Sequence, residues 1–232
     1  GRGAGITFPK TQGEHAMKYN KEAASAKQGA KILETAGRLF LEYGYHETSI
    51  RQIARELDIS PGLIGYYFPT KRDLAVALLS RQLKRFAQLD SQYVPADDPV
   101  LRSAVLIKLE ITVLNSPVFK KFYLGALKED VILTVIRASG QDIYRAISEK
   151  YHLNYPDSRF AMNDLLASSI ERTLVLYADD IQLERSIADE VFLINMRLIY
   201  GSEDFLLEKC RESELITARI LCDHPEILKD WL

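Results

Sequence analysis

Apolar residues recur at three- and four-residue steps along most of the chain, the spacing that places side chains on one face of an α-helix. The repeat over residues 31–43 predicts a first helix and consists of Ile32, Ala36, Leu39, Phe40 and Tyr43. Gly44 follows it, and glycine tolerates the left-handed backbone with which helices commonly end. A shorter repeat formed by Ile50, Ile53, Ala54 and Leu57 predicts a second helix directly afterwards.

Polar residues mark the starts of the next helices. Ser49 precedes Gln52 by three positions, so the hydroxyl and the amide can each cap a backbone donor at the other residue. Ser60 and Pro61 combine an N-cap hydroxyl with a proline at the first helical position, where its missing N–H costs nothing. A third helix therefore begins at Pro61.

This third helix is short, because Pro69 ends it. Leu63, Ile64 and Phe68 can anchor it, which leaves the neighbouring tyrosines available on the outside. Thr70, with Asp73 three positions later, predicts the N-cap of a fourth helix. Two capped corners around a short helix are typical of a helix-turn-helix DNA reader.

This segment resembles the DNA-binding domain of the TetR family of bacterial transcription regulators. The resemblance covers residues 27–75 and rests on the order and spacing of Gly44-Tyr45, Thr48-Ser49, Ile53-Ala54, Ser60-Pro61-Gly62, Tyr66-Tyr67-Phe68 and Lys71. One departure is Gly65, because many members carry a tyrosine there that often touches the DNA backbone. Glycine also weakens a short helix by roughly 1 kcal/mol relative to alanine.

The resemblance implies a set of DNA-contacting residues. Those that it places in or beside the major groove are Ser60, Pro61, Gly62, Leu63, Tyr66 and Tyr67. Arg51 would reach a guanine edge, which the arginine fork fits. Thr48, Ser49 and Lys71 would hold phosphates. Capping or plain solvent exposure is the alternative at each position, and at Ser49 and Ser60 capping and DNA contact can coexist.

The remainder of the chain predicts helix almost throughout, with no alternating run long enough for a strand. We expect an all-α fold with a flexible tail over 1–24, a helix-turn-helix domain over 25–75 and a larger helical ligand-binding and dimerisation domain over 76–232. A native start at Met17 would make part of the tail foreign to the protein. The predicted helices are 71–92, 100–115, 118–126, 128–150, 157–178, 186–200 and 203–222.

Charge is distributed unevenly between the two predicted domains. Residues 1–75 carry 11 Lys and Arg against 8 Asp and Glu, a net charge of +3, whereas residues 76–232 carry 19 against 24, a net charge of −5. A basic N-terminal part suits phosphate contacts, although +3 is also ordinary scatter for a domain of this size. No apolar run reaches the roughly 18 residues needed to span a bilayer, and no signal peptide is evident. We expect a cytoplasmic protein with no membrane partner.

Motifs of catalysis do not occur in the sequence. There is no nucleophile elbow, phosphate-binding loop, dinucleotide fingerprint or zinc-protease motif. The four histidines, at positions 15, 46, 152 and 224, are too scattered for metal-ligand spacing. We therefore expect no enzyme, no cofactor and no metal site.

Two groups of residues in the larger domain are candidates for binding. A small-molecule inducer, as TetR-like regulators commonly bind, could contact Phe119, Phe122, Tyr123, Arg137, Gln141 and Tyr144. Two helices are apolar around most of their circumference, and their dimer candidates are Met162, Leu166, Ile170, Leu174, Val191, Ile194 and Leu198. In both groups the alternative is an ordinary core residue within one chain.

The sequence thus predicts a homodimeric, ligand-responsive transcription regulator, most simply a repressor that a small-molecule inducer releases from a near-palindromic double-stranded DNA operator. The alternative is a helical dimer that senses a small molecule or binds a protein without gripping DNA.

Overall fold

The computed structural model describes residues 12–139 and 141–231, and the side chains of residues 24–136 and 142–231. This part of the chain is helical with no strand, which confirms the all-α prediction. Two short 3-10 turns, Ala178–Asp180 and Pro225–Leu228, accompany eleven α-helices within these ranges: α1 Gln12–Tyr43, α2 Ile50–Glu56, α3 Pro61–Tyr67, α4 Lys71–Tyr93, α5 Pro99–Leu114, α6 Lys120–Lys128, α7 Val131–Ser139, α8 Gln141–Lys150, α9 Asp157–Leu176, α10 Ile187–Arg197 and α11 Glu203–Asp223.

Helix α1 begins earlier than the sequence pattern predicted. It includes residues 12–24, so the expectation of a flexible tail is wrong for that stretch, while residues 1–11 lie outside the described residues. The five glycines and prolines that suggested a tail all fall within residues 1–13. Residues 14–24 contain neither, and their alanines, lysines and glutamates favour helix.

The helix predicted over 128–150 begins three residues later than predicted, at Val131, after the turn that follows α6. From there α7 and α8 cover residues 131–139 and 141–150, and residue 140 lies outside the described residues. The other predicted helices beyond residue 70 agree with α4, α5, α6, α9, α10 and α11 to within a few residues.

The corner after α1 is held by backbone geometry and one N-cap hydroxyl. Gly44 has φ +88°, a conformation that L side chains rarely adopt, and its N–H donates to the Phe40 carbonyl at 2.9 Å. Ser49 then caps α2 by accepting from the Gln52 N–H at 3.2 Å. The turn at Gly44 and the cap at Ser49 together fix where α2 begins relative to the end of α1.

Helix α4 runs without a break from the helix-turn-helix segment into the rest of the chain. Its start has a capping box, because the Thr70 hydroxyl accepts from the Asp73 N–H at 3.2 Å and the Asp73 carboxylate accepts from the Thr70 N–H at 2.9 Å. The helix crosses the predicted domain boundary at residues 75 and 76. A displacement of α4 would therefore be felt on both sides of that boundary.

An aromatic cluster joins α1 to α6 and to the end of the chain. Phe122 lies 5.2 Å from Phe40 between ring centroids, and Trp231 packs edge-on against Phe122 at 4.8 Å. The Trp231 indole N–H donates to the Gly37 carbonyl at 3.0 Å. A Cβ at Gly37 would lie only 2.7 Å from the Trp231 ring, so only glycine lets the indole approach α1 this closely.

The larger domain packs around α5. Helices α4, α10 and α11 pack against it, and a second apolar cluster forms between α5, α8 and α10 around Tyr144, Phe192 and Met196. Within the described residues, no helix combines the length and apolar character needed to cross a membrane.

Candidate functional site

Helices α2 and α3 present an exposed face at the end of the molecule formed by the helix-turn-helix segment. Ile64 is fully buried and fixes α3 against α1 and α2. On the outer side of α3, Gly62 and Leu63 are exposed and Tyr66 is 77% exposed. Arg51, in the first turn of α2, is also exposed. This face therefore offers a guanidinium, a phenol and a glycine without bulk to an incoming partner.

Ser49, Ser60 and Pro61 shape the starts of the two helices. The Ser60 hydroxyl accepts from the Leu63 N–H at 3.2 Å, as Ser49 does for Gln52. Pro61 occupies the first turn of α3. All three residues are exposed, and each serine hydroxyl keeps its own proton free to donate while it caps.

Thr48 does not take the phosphate-binding role predicted for it. Its side chain is fully buried, and its hydroxyl lies 2.8 Å from the Gly44 carbonyl and 3.1 Å from the Leu39 carbonyl, to which it can donate. Leu39 lies in the last turns of α1, and Gly44 directly follows the helix. Thr48 is a cap for α1, and the prediction of DNA contact is wrong for this side chain.

Lys71 is likewise engaged inside the domain. Its ammonium donates to the Tyr45 carbonyl at 2.8 Å and to the His46 carbonyl at 3.2 Å, and it lies 4.5 Å from the Tyr45 ring centroid. Burial lowers the pKa of Lys71, although Glu129 and Glu47 oppose that effect. The expected free cation at the start of α4 is instead a clamp on the turn after α1.

Tyr67 is half-buried and serves as a support rather than a free contact. Its hydroxyl accepts from the Ser25 hydroxyl at 3.2 Å, and a Cβ at Gly29 would lie 3.3 Å from its ring. Its ring also meets Tyr66 edge-on at 5.1 Å. Tyr67 thus ties α3 to α1 and restricts where Tyr66 can point.

Arg72 was missed by the sequence reasoning. Its guanidinium donates to the Asp130 carbonyl at 2.9 Å and to the Thr134 hydroxyl at 2.7 Å. It therefore links the start of α4 to the start of α7. No local signal in the sequence could have revealed a contact between residues about sixty positions apart.

A cavity of about 440 Å³ lies inside the larger domain. Its walls come from α4, α5, α7, α8, α9 and α10, and they are mainly apolar, with Phe86, Leu106, Ile107 and Val191 among them. This size falls within the range of small-molecule sites in proteins. The cavity shares a wall with α4, the helix that begins at the helix-turn-helix segment.

Of the six predicted ligand residues, Tyr144 lines this cavity. Phe119 and Phe122 belong instead to the aromatic cluster with Trp231, so their assignment to a ligand is wrong. Tyr123 is fully buried outside the lining, and its hydroxyl donates to Glu171, a wall residue, at 2.6 Å. The side chains of Arg137 and Gln141 lie outside the described residues.

Four buried polar residues of the cavity wall were not predicted: Ser103 and Glu110 on α5, Glu171 on α9 and Asn195 on α10. Burial raises the pKa of Glu171 to about 7, against which the Tyr123 hydrogen bond works. Burial, and then the charge of Glu171, raise the pKa of Glu110 well above its ordinary value. Isolated acidic residues on apolar helices carry no sequence signal that separates a cavity wall from a packed core.

The predicted dimer residues fall into three groups. Met162, Leu166 and Leu198 are 42%, 38% and 40% exposed. The half-buried ones are Ile170, Leu174 and Ile194. Val191 is buried against Ile111 and Ala188, so its assignment to a dimer face is wrong: α10 turns this residue towards α5.

Exposed leucines extend the apolar surface around Met162. Leu165 is 45% exposed beside Leu166 on α9. The Leu198 carbonyl accepts from Arg159 at 2.7 Å, which places the end of α10 beside the start of α9.

Among the described residues, no group of histidines, cysteines and carboxylates is arranged to hold a metal ion.

Comparisons with known proteins agree with this fold. A family model described as bacterial regulatory proteins, tetR family, matches residues 32–78. The chain is 35% identical over 99 residues to YuxN, an uncharacterized HTH-type transcriptional regulator of Bacillus subtilis (strain 168), covering 42% of this chain and 33% of that protein. It is 32% identical over 102 residues to the HTH-type transcriptional regulator AcrR of Shigella flexneri, covering 42% of this chain and 46% of that protein. The matches thus span less than half the length of either relative.

Solved structures resemble most of the chain. RolR in complex with resorcinol has a TM-score of 0.59 at 16% identity, covering 85% of this chain and 96% of that one. RolR without ligand has a TM-score of 0.56 at 14% identity, covering 82% and 96%. At these identities the likeness establishes the fold, and it extends well beyond the helix-turn-helix segment.

Proposed function

We propose that this chain, which belongs through its N-terminal domain to the tetR family of bacterial regulatory proteins, is a homodimeric transcription regulator that a small molecule releases from its DNA operator. The observation that carries the proposal is the exposed face of α2 and α3, with Arg51 and Tyr66 outward and Ile64 buried behind them. We expect it to act in the cytoplasm, where its operator is.

The start of α3 would enter the major groove. Gly62 and the exposed Leu63 allow close approach of the helix to the base edges, while Arg51 can present two N–H donors to a guanine. Tyr66 and the capping serines, Ser49 and Ser60, would contact phosphates or thymine methyl groups at the edges of the groove. Thr48 and Lys71 contribute by holding the corner that aims this face.

Dimerisation would use the apolar surface formed by Met162, Leu165, Leu166 and Leu198. When a second copy covers the apolar side chains in the middle of such a surface, the free energy of the assembly falls. Two copies related by a twofold axis would present two readers, which fits a near-palindromic operator with half-sites about 34–36 Å apart.

Ligand response would act through α4 and α7, because both line the cavity and both meet at Arg72. A ligand that favours one position of α4 changes the spacing of the two readers. Coupling free energies of about 1–3 kcal/mol are typical of such switches. RolR, which has a similar fold, was solved in complex with resorcinol, which supports a small-molecule ligand for this chain.

The proposal is tested by selecting fragments of the source genome with the full-length protein and measuring affinity for the enriched sequence. Arg51→Ala should weaken binding by about 1–3 kcal/mol, roughly 5- to 150-fold, because a bidentate arginine contact to guanine contributes that much. Arg219→Ala is the matched control, since Arg219 is exposed on α11 away from α2 and α3.

Wild-type affinity should also fall steeply with salt, because released counterions drive phosphate contacts. Failure to enrich any sequence, or equal affinities for both arginine variants and the wild type, would contradict the proposal. The protein would then be better described as a helical sensor that does not bind DNA.

A further inference from the structure

The acceptor cluster, defined as Glu110, Glu171 and Asn195, comes from three different helices and lies on the wall of one cavity. Glu171 and Asn195 are each 4% exposed, and Glu110 is 9% exposed. Apart from Ser103 on α5, the other residues that these helices contribute to the lining are apolar, and they include Ile107 and Val191. Glu110 and Glu171 lie close enough for the charge of Glu171 to raise the pKa of Glu110, so the mainly apolar wall contains a polar region.

Two atoms of the cluster have no hydrogen-bond partner among the protein groups: Glu110 Oε1 and Asn195 Oδ1. The amide oxygen of Asn195 is an acceptor, as is Glu110 Oε1 when that carboxyl is ionised, and buried acceptors without donors cost free energy. Glu171 already accepts from the Tyr123 hydroxyl at 2.6 Å. A molecule in the cavity would therefore need to donate hydrogen bonds to these acceptors.

The charges of the lining residues restrict which class of molecule the cavity can bind. Lys84, exposed at the edge of the cavity, is the cation among the residues lining it. The raised pKa values of Glu110 and Glu171 reflect ionised forms that lack a compensating charge inside the cavity, and with both ionised the lining would carry a net charge of −1. Tyr144 faces the same space as a neutral phenol. An anionic molecule would find no cation inside the cavity, whereas a single positive charge beside the glutamates would favour their ionised forms and balance the lining.

We propose that this cavity binds an organic monocation, a protonated amine on an apolar body, whose ammonium donates to Glu110, Glu171 and Asn195. This inference names the ligand class for the proposed regulator and so rests on the proposed function. Charge-assisted hydrogen bonds are roughly twice as strong as neutral ones, which favours the ammonium over a hydroxyl of equal shape. The apolar body would lie along Phe86, Leu106 and Ile107.

The test compares three probes of one shape and three charges: 4-phenylbutylamine, 4-phenylbutanol and 4-phenylbutyrate. Binding to the full-length protein is measured by calorimetry at neutral pH without DNA. We expect the amine to bind at least tenfold more tightly than the alcohol, and the carboxylate not to bind. Equal binding of amine and alcohol, tighter binding of the carboxylate, or no binding of the amine at millimolar concentration would each overturn the proposal.

Variants locate the binding. Glu110→Gln and Glu171→Gln should each weaken amine binding at least tenfold and leave alcohol binding unchanged, because glutamine removes the charge but keeps the size of the side chain and one acceptor oxygen. Glu208→Gln, at an exposed position of α11, is the control and should not change either affinity. Unchanged amine binding in both cavity variants would overturn the proposal; if either fails to fold, the three probes on the wild type still decide it.

The outcome is independent of DNA binding. Amine binding without any selected DNA sequence would support this inference and contradict the proposed function. A selected DNA sequence without amine binding would support the proposed function and contradict this inference.

Discussion

Residues that fit the same sequence pattern have different roles in the fold. Thr48 and Lys71 both fit the pattern of DNA-contacting residues, but the hydroxyl of one and the ammonium of the other bind carbonyls around the corner after α1. Arg51 and Tyr66 fit the same pattern and are exposed. A pattern indicates that a residue type matters at a position, but only its contacts in the structure show which role it has.

Thr48→Val tests this distinction. The substitution keeps the shape of the side chain but leaves the Gly44 and Leu39 carbonyls without the hydroxyl that donates to them. The free energy of unfolding should fall by about 1–3 kcal/mol, the usual cost of a buried unsatisfied group. Denaturant unfolding followed by circular dichroism measures the change.

Thr48→Ser, which keeps the hydroxyl, should restore most of this stability. A valine variant as stable as the wild type but defective in DNA binding would show that Thr48 acts on DNA after all.

Among the elements, local signals predicted the capped helix starts well and other helix starts less well. The caps at Ser49, Ser60 and Thr70 are each formed by the residue that the sequence indicated, because capping depends on neighbours within three positions. By contrast, α1 extends back to Gln12, and the helix predicted from residue 128 begins at Val131. Such starts depend on packing against other segments, which periodicity alone does not contain.

Helix α3 carries one glycine that its geometry does not require. Gly65 is exposed, its φ is not positive, and a Cβ there would have nothing within 4 Å. Gly65→Ala should therefore raise the free energy of unfolding by up to about 1 kcal/mol through the unfolded chain and helix propensity. Thermal and urea unfolding measure it.

Gly44→Ala is the contrasting variant. Gly44 has φ +88°, and a Cβ would lie 3.3 Å from the Lys121 carbonyl oxygen, so this substitution should destabilise the protein. Equal effects of the two alanines would contradict the assignment of Gly44 as the residue that the corner requires.

At the scale of the whole molecule, the all-α architecture could be predicted from periodicity, whereas the cavity could not. The cavity wall combines Glu110, Glu171 and Asn195 from helices far apart in the chain. The aromatic residues that looked suited to a ligand, Phe119 and Phe122, pack against Trp231 more than a hundred positions away. Apolar side chains serve a core and a pocket equally well, so sequence alone cannot separate them.

The proposed dimer surface gives a prediction at this scale. Leu166→Glu places a charge in the middle of the apolar surface on α9, where a partner would have to desolvate it. We expect a folded monomer with strongly reduced operator affinity, because two linked readers become one. Sedimentation velocity gives the oligomeric state.

Leu215→Glu is the matched control, because Leu215 is 75% exposed on α11. It should remain dimeric. A Leu166→Glu variant that stays dimeric would place the interface elsewhere.

A hydroxyl-radical footprint of the full-length protein on its selected operator shows how many copies of α3 meet the DNA and how far apart they lie. If α3 is presented outward twice per assembly, the footprint should show two protected half-sites related by a twofold axis, with centres about one helical turn, 34–36 Å, apart or a multiple of it. A single protected half-site, or protection unchanged when Arg51 and Tyr66 are both replaced by alanine, would contradict the account.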